Sequence, residues 1–322
     1  MASSSRRSFL LQAAVVSAVS MTGLRDAAGV IVSAASEPAG PSVKFPTAPR
    51  ERIAVASYPF REFVAGAHDP HATSSKMPLK EFAGHVKQKF NVNKIEPWSE
   101  HFVSTDAAYL DELRSTVTKA GCGFANIAAD GENSLYSPDP GARARAVAFG
   151  RKWIDIAAHV GSPSVRLNLP PAKDTKPDAA VVAESVKVLA AYGASKNVVV
   201  HHENDNPLSE NPFFIADVLD RVSSPWGRAL PDFGNSFSAL PTEEAFRGLE
   251  QMFTHAYGIS HVKDVSMTPK NEAIPVDLAR VFLFLGDNAC SVDRNSKHEL
   301  VRMLVNPLVW IVVGMLIAAF VI

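Results

Sequence analysis

From Glu51 onward, short β-branched and apolar runs alternate with longer stretches whose apolar positions recur at helical spacing, and turn residues separate the two. The runs RIAVASY, NVNKIEP, GFANIA, SVRLNL, NVVVHH, RALPDF, GISHVK and ACSVD read as eight strands. Between them the spacing predicts helices over Leu79–Phe90, Ala107–Lys119, Ala142–His159, Ala179–Ala194, Phe213–Val222, Thr242–Phe253 and Val276–Phe284. In the third of these Val147, Trp153, Ile154 and Ala157 share one face, and several stretches stop at Gly or Asn, as a helix C-cap requires. A βα unit of about thirty residues repeated eight times fills the roughly 250-residue span of a parallel barrel. The expected fold class is therefore α/β, a (β/α)8 TIM barrel over 51–296. A doubly wound open sheet is the other arrangement that alternation supports, but no GxGxxG or Walker-type glycine loop follows any strand run.

The two ends of the chain depart from this pattern. SRRSFLL sets Arg6 and Arg7 before an uncharged stretch running to Met21, which is the arrangement of a twin-arginine export signal. With the small residues of VSAAS, this signal is expected over 1–36, followed by a Pro-rich linker over 37–50. The twin-arginine machinery would then be a partner, and the chain would be exported to the periplasm. At the other end 303–322 carries no charge and just reaches the length of a membrane span, so a C-terminal membrane anchor is expected, with a shifted reading frame as the alternative. Either way the last helix of the barrel is altered or missing.

Charge and cysteine content narrow the partners. Lys plus Arg number 32 and Asp plus Glu 33, so no net field draws the chain to nucleic acid. The two cysteines, Cys122 and Cys290, form no CxxC pair, and both are expected to be buried thiols.

The strand ends carry the candidate chemistry. Glu203 follows VVVHH, Asp232 follows ALP and His261 follows GIS, and a parallel barrel delivers such positions to one rim. Two carboxylates with one imidazole form an oxygen-rich set suited to one divalent metal ion, Mn²⁺ or Mg²⁺ in preference to Co²⁺ or Zn²⁺. Asp293, at the end of ACSVD, is the candidate fourth ligand. Glu96, Arg166, His202 and Lys263 are placed to hold substrate oxygens, and Trp98 and Phe60 to floor a pocket.

HHEND around Glu203, DFGN from Asp232 to Asn235, HVKD from His261 to Asp264 and the SYPFR turn at Ser57–Arg61 together resemble the xylose-isomerase-like sugar phosphate isomerases and epimerases. The resemblance covers roughly 52–293 and implies a small-molecule carbohydrate substrate and a divalent metal held by Glu, Asp, His and Glu. It also implies proton abstraction beside a carbonyl, with a metal-stabilised enediolate and Glu203 and Asp293 as the acids that take and return the proton. Two positions depart from the family pattern: Asp293 stands where family members carry Glu, and Asp205 where they often carry His. A lyase on the same scaffold and a non-catalytic, membrane-tethered sugar-binding protein are the other readings.

Overall fold

The computed structural model describes residues 40–43, 48–66, 76–206, 208–263, 265–267, 273–281 and 318–320, all within the unit Ala39–Ile322. The expected export signal, half of the linker, the ACSVD run with Cys290 and Asp293, and all but three residues of the expected anchor lie outside them.

Strands and helices alternate as β1 (Ile53–Ala56), α1 (Leu79–Phe90), β2 (Lys94–Glu96), α2 (Ala107–Lys119), β3 (Gly123–Phe124), β4 (Ala128–Ala129), α3 (Pro140–Val160), β5 (Ser164–Leu167), α4 (Ala179–Lys196) and β6 (Val199–Glu203). They continue as α5 (Pro212–Val222), β7 (Gly227–Leu230), α6 (Phe233–Ala239), α7 (Thr242–Phe253), β8 (Ser260–Val262), a hairpin of β9 (Val265–Met267) and β10 (Ala273–Pro275), and β11 (Ala318–Phe320). One sheet has the order β3-β2-β1-β11-β8 and another β4-β5-β6-β7. Single bridges, Trp98 to Ala128 and Asp232 to His261, link one sheet to the other. All pairings around this TIM-barrel sheet are parallel except those of β11.

The local chemistry explains the elements. All five residues of β6 are buried, as in a strand covered on both faces. Asp139 caps α3 by accepting from Gly141 and Ala142 N–H, Pro140 supplies a preset φ, and Gly161 ends the helix at φ 82°, a left-handed turn that costs glycine little. Asp178 and Asn211 cap α4 and α5 in the same way. Trp153, Ile154 and Ala157 of α3 are buried as their shared face predicts, and Phe82, Ile95, Leu113, Leu189 and Ile215 complete a core between sheet and helices.

Five features differ from the sequence reading. The strand expected over 123–128 divides into β3 and β4, because the Asn126 side chain between them bonds to Glu96 and Ser164. The seven-residue helix α6 was not expected; Asp232 caps it, its Oδ1 accepting from Asn235 N–H at 2.9 Å. The helix expected from Val276 begins two residues later, at 278, and its positions 282–284 lie outside the described residues. Cys122 is half-buried rather than buried, its thiol 3.5 Å from Ala83 O. Within the expected anchor, Ala318–Phe320 is a strand paired with both β1 and β8, so its backbone polar groups are satisfied in the sheet and not in a membrane helix. Among the described residues no helix is long and apolar enough to cross a membrane.

Candidate metal centre

The carboxyl ends of β6, β7 and β8 bring Glu203, Asp232 and His261 together. All three are buried, and one donor atom from each lies within 4.8 Å of the others. His261 Nδ1 is 2.8 Å from Glu203 Oε1 and 3.6 Å from Asp232 Oδ2. Buried Asp232 Oδ2 is paired with Lys263 Nζ at 2.7 Å. Two buried carboxylates and an imidazole converging in this way form a donor set that fits a divalent cation, whose charge Asp232 would share with Lys263. Glu203, Asp232 and His261 are the residues that would hold it.

Two amide side chains fix the spacing of the set. Asn204 follows Glu203, and its Nδ2 donates to Asp232 O at 2.8 Å and to Ser236 Oγ at 2.7 Å while its Oδ1 accepts from Asp232 N–H at 2.8 Å. Asn235, one turn into α6, donates to Glu203 Oε1 at 3.4 Å and accepts from Lys263 Nζ at 2.6 Å. Gly234 makes room for the lysine, since a Cβ there would stand 2.7 Å from Lys263 Cδ and 2.9 Å from its Cβ.

The other sequence candidates have definite partners. Arg166, buried at the end of β5, pairs with Asp130 and, through Nε at 3.0 Å, with Glu203 Oε2. Glu96 accepts from His261 Nε2 and from Asn126 Nδ2, so both its oxygens are taken. His202 is buried with Nδ1 donating to Leu167 O at 3.0 Å, and it is not among the grouped donors. Trp98 donates to Asp130 Oδ2 at 2.6 Å and meets Tyr58 edge to face at 5.0 Å. Phe60 instead packs on Phe82 and Phe90 of α1, in the core rather than on a pocket floor. Asp205, in the position where the resembled family often carries histidine, is exposed.

Burial and charge set the protonation of the group. Burial raises the Glu203 carboxyl above its ordinary range against the pull of His261 and Arg166. Burial would also raise Asp232, but Lys263 and His261 overcome it and hold that carboxyl well below its usual value. For His261 burial opposes the charged form, and the Glu96 and Glu203 carboxylates outweigh it, raising the imidazole well above its ordinary value. The same contest keeps Lys263 raised by Asp232 despite its burial. Farther along the loop after β6, burial and then Asp205 push Glu210 up to about 7, although Leu169 N–H donates to it.

Asn126, Asp130, Asn204 and Asn235 were missed in the sequence. Asn204 and Asn235 lay inside the quoted motifs HHEND and DFGN, but no spacing rule marks a neutral amide as a partner of a distant carboxylate.

The model of the xylose isomerase-like TIM barrel family matches residues 88–293, well over half of the chain. An L-ribulose 3-epimerase structure superposes with a TM-score of 0.59 at 14% identity, covering 82% of this chain and 94% of its own. D-psicose 3-epimerase from Clostridium cellulolyticum H10, solved with D-tagatose, gives 0.58 at 13% identity, covering 80% of this chain and 98% of its own. A xylose isomerase-like TIM barrel protein from Mycobacterium smegmatis in complex with magnesium gives 0.57 at 13%, covering 79% of this chain and 96% of its own. At such identities the likeness is one of fold. No protein of curated function matches this chain in sequence. Motifs, barrel and matched span together make the chain a member of the xylose isomerase-like TIM barrel family.

Proposed function

We propose that the chain is a divalent-metal-dependent isomerase or epimerase of sugars that moves a proton on the carbon beside a carbonyl. The observation that carries this is the meeting of buried Glu203, Asp232 and His261, contributed by three successive strand ends, with one donor atom from each within 4.8 Å of the others. Support comes from the fold neighbours named as L-ribulose 3-epimerase and D-psicose 3-epimerase. When bound, the ion supplies Lewis-acid polarisation of a substrate oxygen; Mn²⁺ or Mg²⁺ suits the donor set.

The chain's own residues do the rest. Glu203 carries the proton: its burial raises the carboxyl above its ordinary range, which makes the carboxylate a stronger acceptor for the substrate proton. Asp293 is the proposed second acid. Lys263 Nζ, held by Asp232 and Asn235 with about a fifth of its side chain exposed, donates to a substrate oxygen. Arg166 has its guanidinium taken by Asp130 and Glu203, so it steadies Glu203 and leaves substrate contacts to Lys263.

The test is solvent exchange. The purified chain, equilibrated with Mn²⁺, is incubated in D₂O with free ketopentoses and ketohexoses, and carbon-bound deuterium is read by NMR. Exchange should require Mn²⁺ and fall about 10²–10⁴-fold in Glu203→Gln. Failure of the folded chain to take up any divalent ion, or exchange untouched by Glu203→Gln, would refute the proposal.

A further inference from the structure

Glu96 lies at the end of β2, across the barrel interior from β8. Its two oxygens converge on one ring nitrogen: His261 Nε2 is 2.8 Å from Oε1 and 3.0 Å from Oε2. The other ring nitrogen, Nδ1, faces Glu203 and Asp232. His261 thus stands between a lone carboxylate on one side and the candidate ligands on the other.

Glu96 is itself held in a directed chain. Asn126 Nδ2 donates to Glu96 Oε2 at 3.0 Å, and Asn126 Oδ1 accepts from Ser164 Oγ at 2.7 Å. All the members are buried, with relative exposures of 2% for Glu96, 0% for Asn126, 4% for Ser164 and 4% for His261. The Ser164 hydroxyl orients the amide, the amide orients the carboxylate, and an ionised carboxylate only accepts. The nitrogen facing Glu96 therefore keeps its hydrogen when a cation is bound, and Nδ1, turned to Glu203 and Asp232, is the nitrogen that would give its lone pair. Recruiting Glu96 to a substrate hydroxyl instead would strand two buried donors, His261 Nε2–H and Asn126 Nδ2.

We infer that Glu96 is a positioning residue for the metal centre: backed by Asn126 and Ser164, it fixes the His261 ring so that Nδ1 points at Glu203 and Asp232. This rests on the reading of those residues as ligands, and it replaces the substrate-contact role that strand-end position alone suggests. Carboxylate partners of this kind orient ligand imidazoles in metal sites, and losing one costs about 10–100-fold in affinity. Glu96→Gln keeps an acceptor for His261 but sets an amide NH₂ against the Asn126 donor, whereas the double variant Glu96→Gln/Asn126→Asp makes the contact complementary again.

The experiment titrates Mn²⁺ into the full chain by calorimetry and, with Mg²⁺ as the diamagnetic probe, follows ¹⁵N-histidine NMR. Glu96→Gln should bind Mn²⁺ about 10–100-fold more weakly, and the double variant should recover most of the loss. A slowly exchanging His261 Nε2–H signal should persist with and without Mg²⁺ and vanish in Glu96→Ala. Mn²⁺ affinity unchanged in Glu96→Gln, or a Mg²⁺-induced shift at Nε2 rather than Nδ1, overturns the inference. A wild-type chain that takes up no Mn²⁺ would instead defeat the metal reading itself, while the Nε2–H signal of the metal-free chain would still decide the Glu96 pairing.

Discussion

Replacing Asn204 tests whether the spacing of the centre is built by hydrogen bonds rather than by the metal. This side chain is 1% exposed and reads both backbone groups of Asp232, donating to its carbonyl and accepting from its N–H, with a further donation to Ser236 Oγ. Asn204→Ala removes all three bonds and leaves at least the Asp232 N–H without this acceptor inside a closed environment. A buried polar group stripped of its partner costs about 1–3 kcal/mol, so with more than one group affected the loss should be about 2–5 kcal/mol, a large share of a normal domain's stability. Because Asn204 adjoins Glu203, the same change frees the β6 end from the β7 end, and Mn²⁺ affinity should fall with stability. Urea unfolding followed by circular dichroism, with calorimetric Mn²⁺ titration, measures both. Asn204→Asp sharpens the test: it can still accept from Asp232 N–H, but it donates nothing and adds a carboxylate beside Asp232. The reasoning fails if Asn204→Ala loses less than about 1 kcal/mol and binds Mn²⁺ like wild type, or if Asn204→Asp matches the native residue.

Other outcomes follow from single residues. Glu210 has its folded pKa raised to about 7 from 4.5, so the native state holds the proton more tightly than the unfolded chain. Its stabilising contribution is whole below pH 4.5 and is lost as pH rises through about 7, a change of about 3 kcal/mol that urea midpoints across this range should lose in Glu210→Gln. A Cβ added at Gly84, within α1, would meet nothing within 4 Å, whereas one on Gly193 would stand 2.4 Å from Val198 O. Thermal melts should therefore show Gly84→Ala gaining about 0.5–1 kcal/mol and Gly193→Ala losing about 1–3 kcal/mol. Lys263→Met removes the cation 2.7 Å from buried Asp232, so the metal-free protein should lose about 3–5 kcal/mol and Mn²⁺ should raise Tm more than it does in wild type. Equal Mn²⁺-induced shifts would contradict that account.

The sequence was most legible where one physical rule acts alone. Leu79–Phe90, Ala107–Lys119 and Thr242–Phe253 are helices with the bounds their apolar spacing marks out. Glu203, Asp232 and His261 could be assigned to one rim because parallel strands share a direction. What spacing cannot supply is the identity of partners across the interior. Glu96 and Arg166 read as rim residues open either to substrate oxygens or to a salt bridge, and only the fold names the partners, Glu96 meeting His261 from 165 positions away. Asn126 breaks a run that looks like one continuous strand because its amide turns toward two other strands. The α6 helix escaped notice because the residue that starts it, Asp232, is also the residue read as a ligand, and DFGNSFSA is too short to show a period.

The placement of β11 has a kinetic side. Its register sets residue 320 against residue 53 on one flank and against residue 260 on the other. Contacts of such long range make a chain slow to fold, because the entropy of closing the intervening loop is lost before the pairing offsets it. Until β11 docks, β1 and β8 each present an edge on that side, and exposed edges recruit strands from other molecules. Any change that weakens the pairing of β11 therefore uncovers two strand edges at once, that of β1 and that of β8.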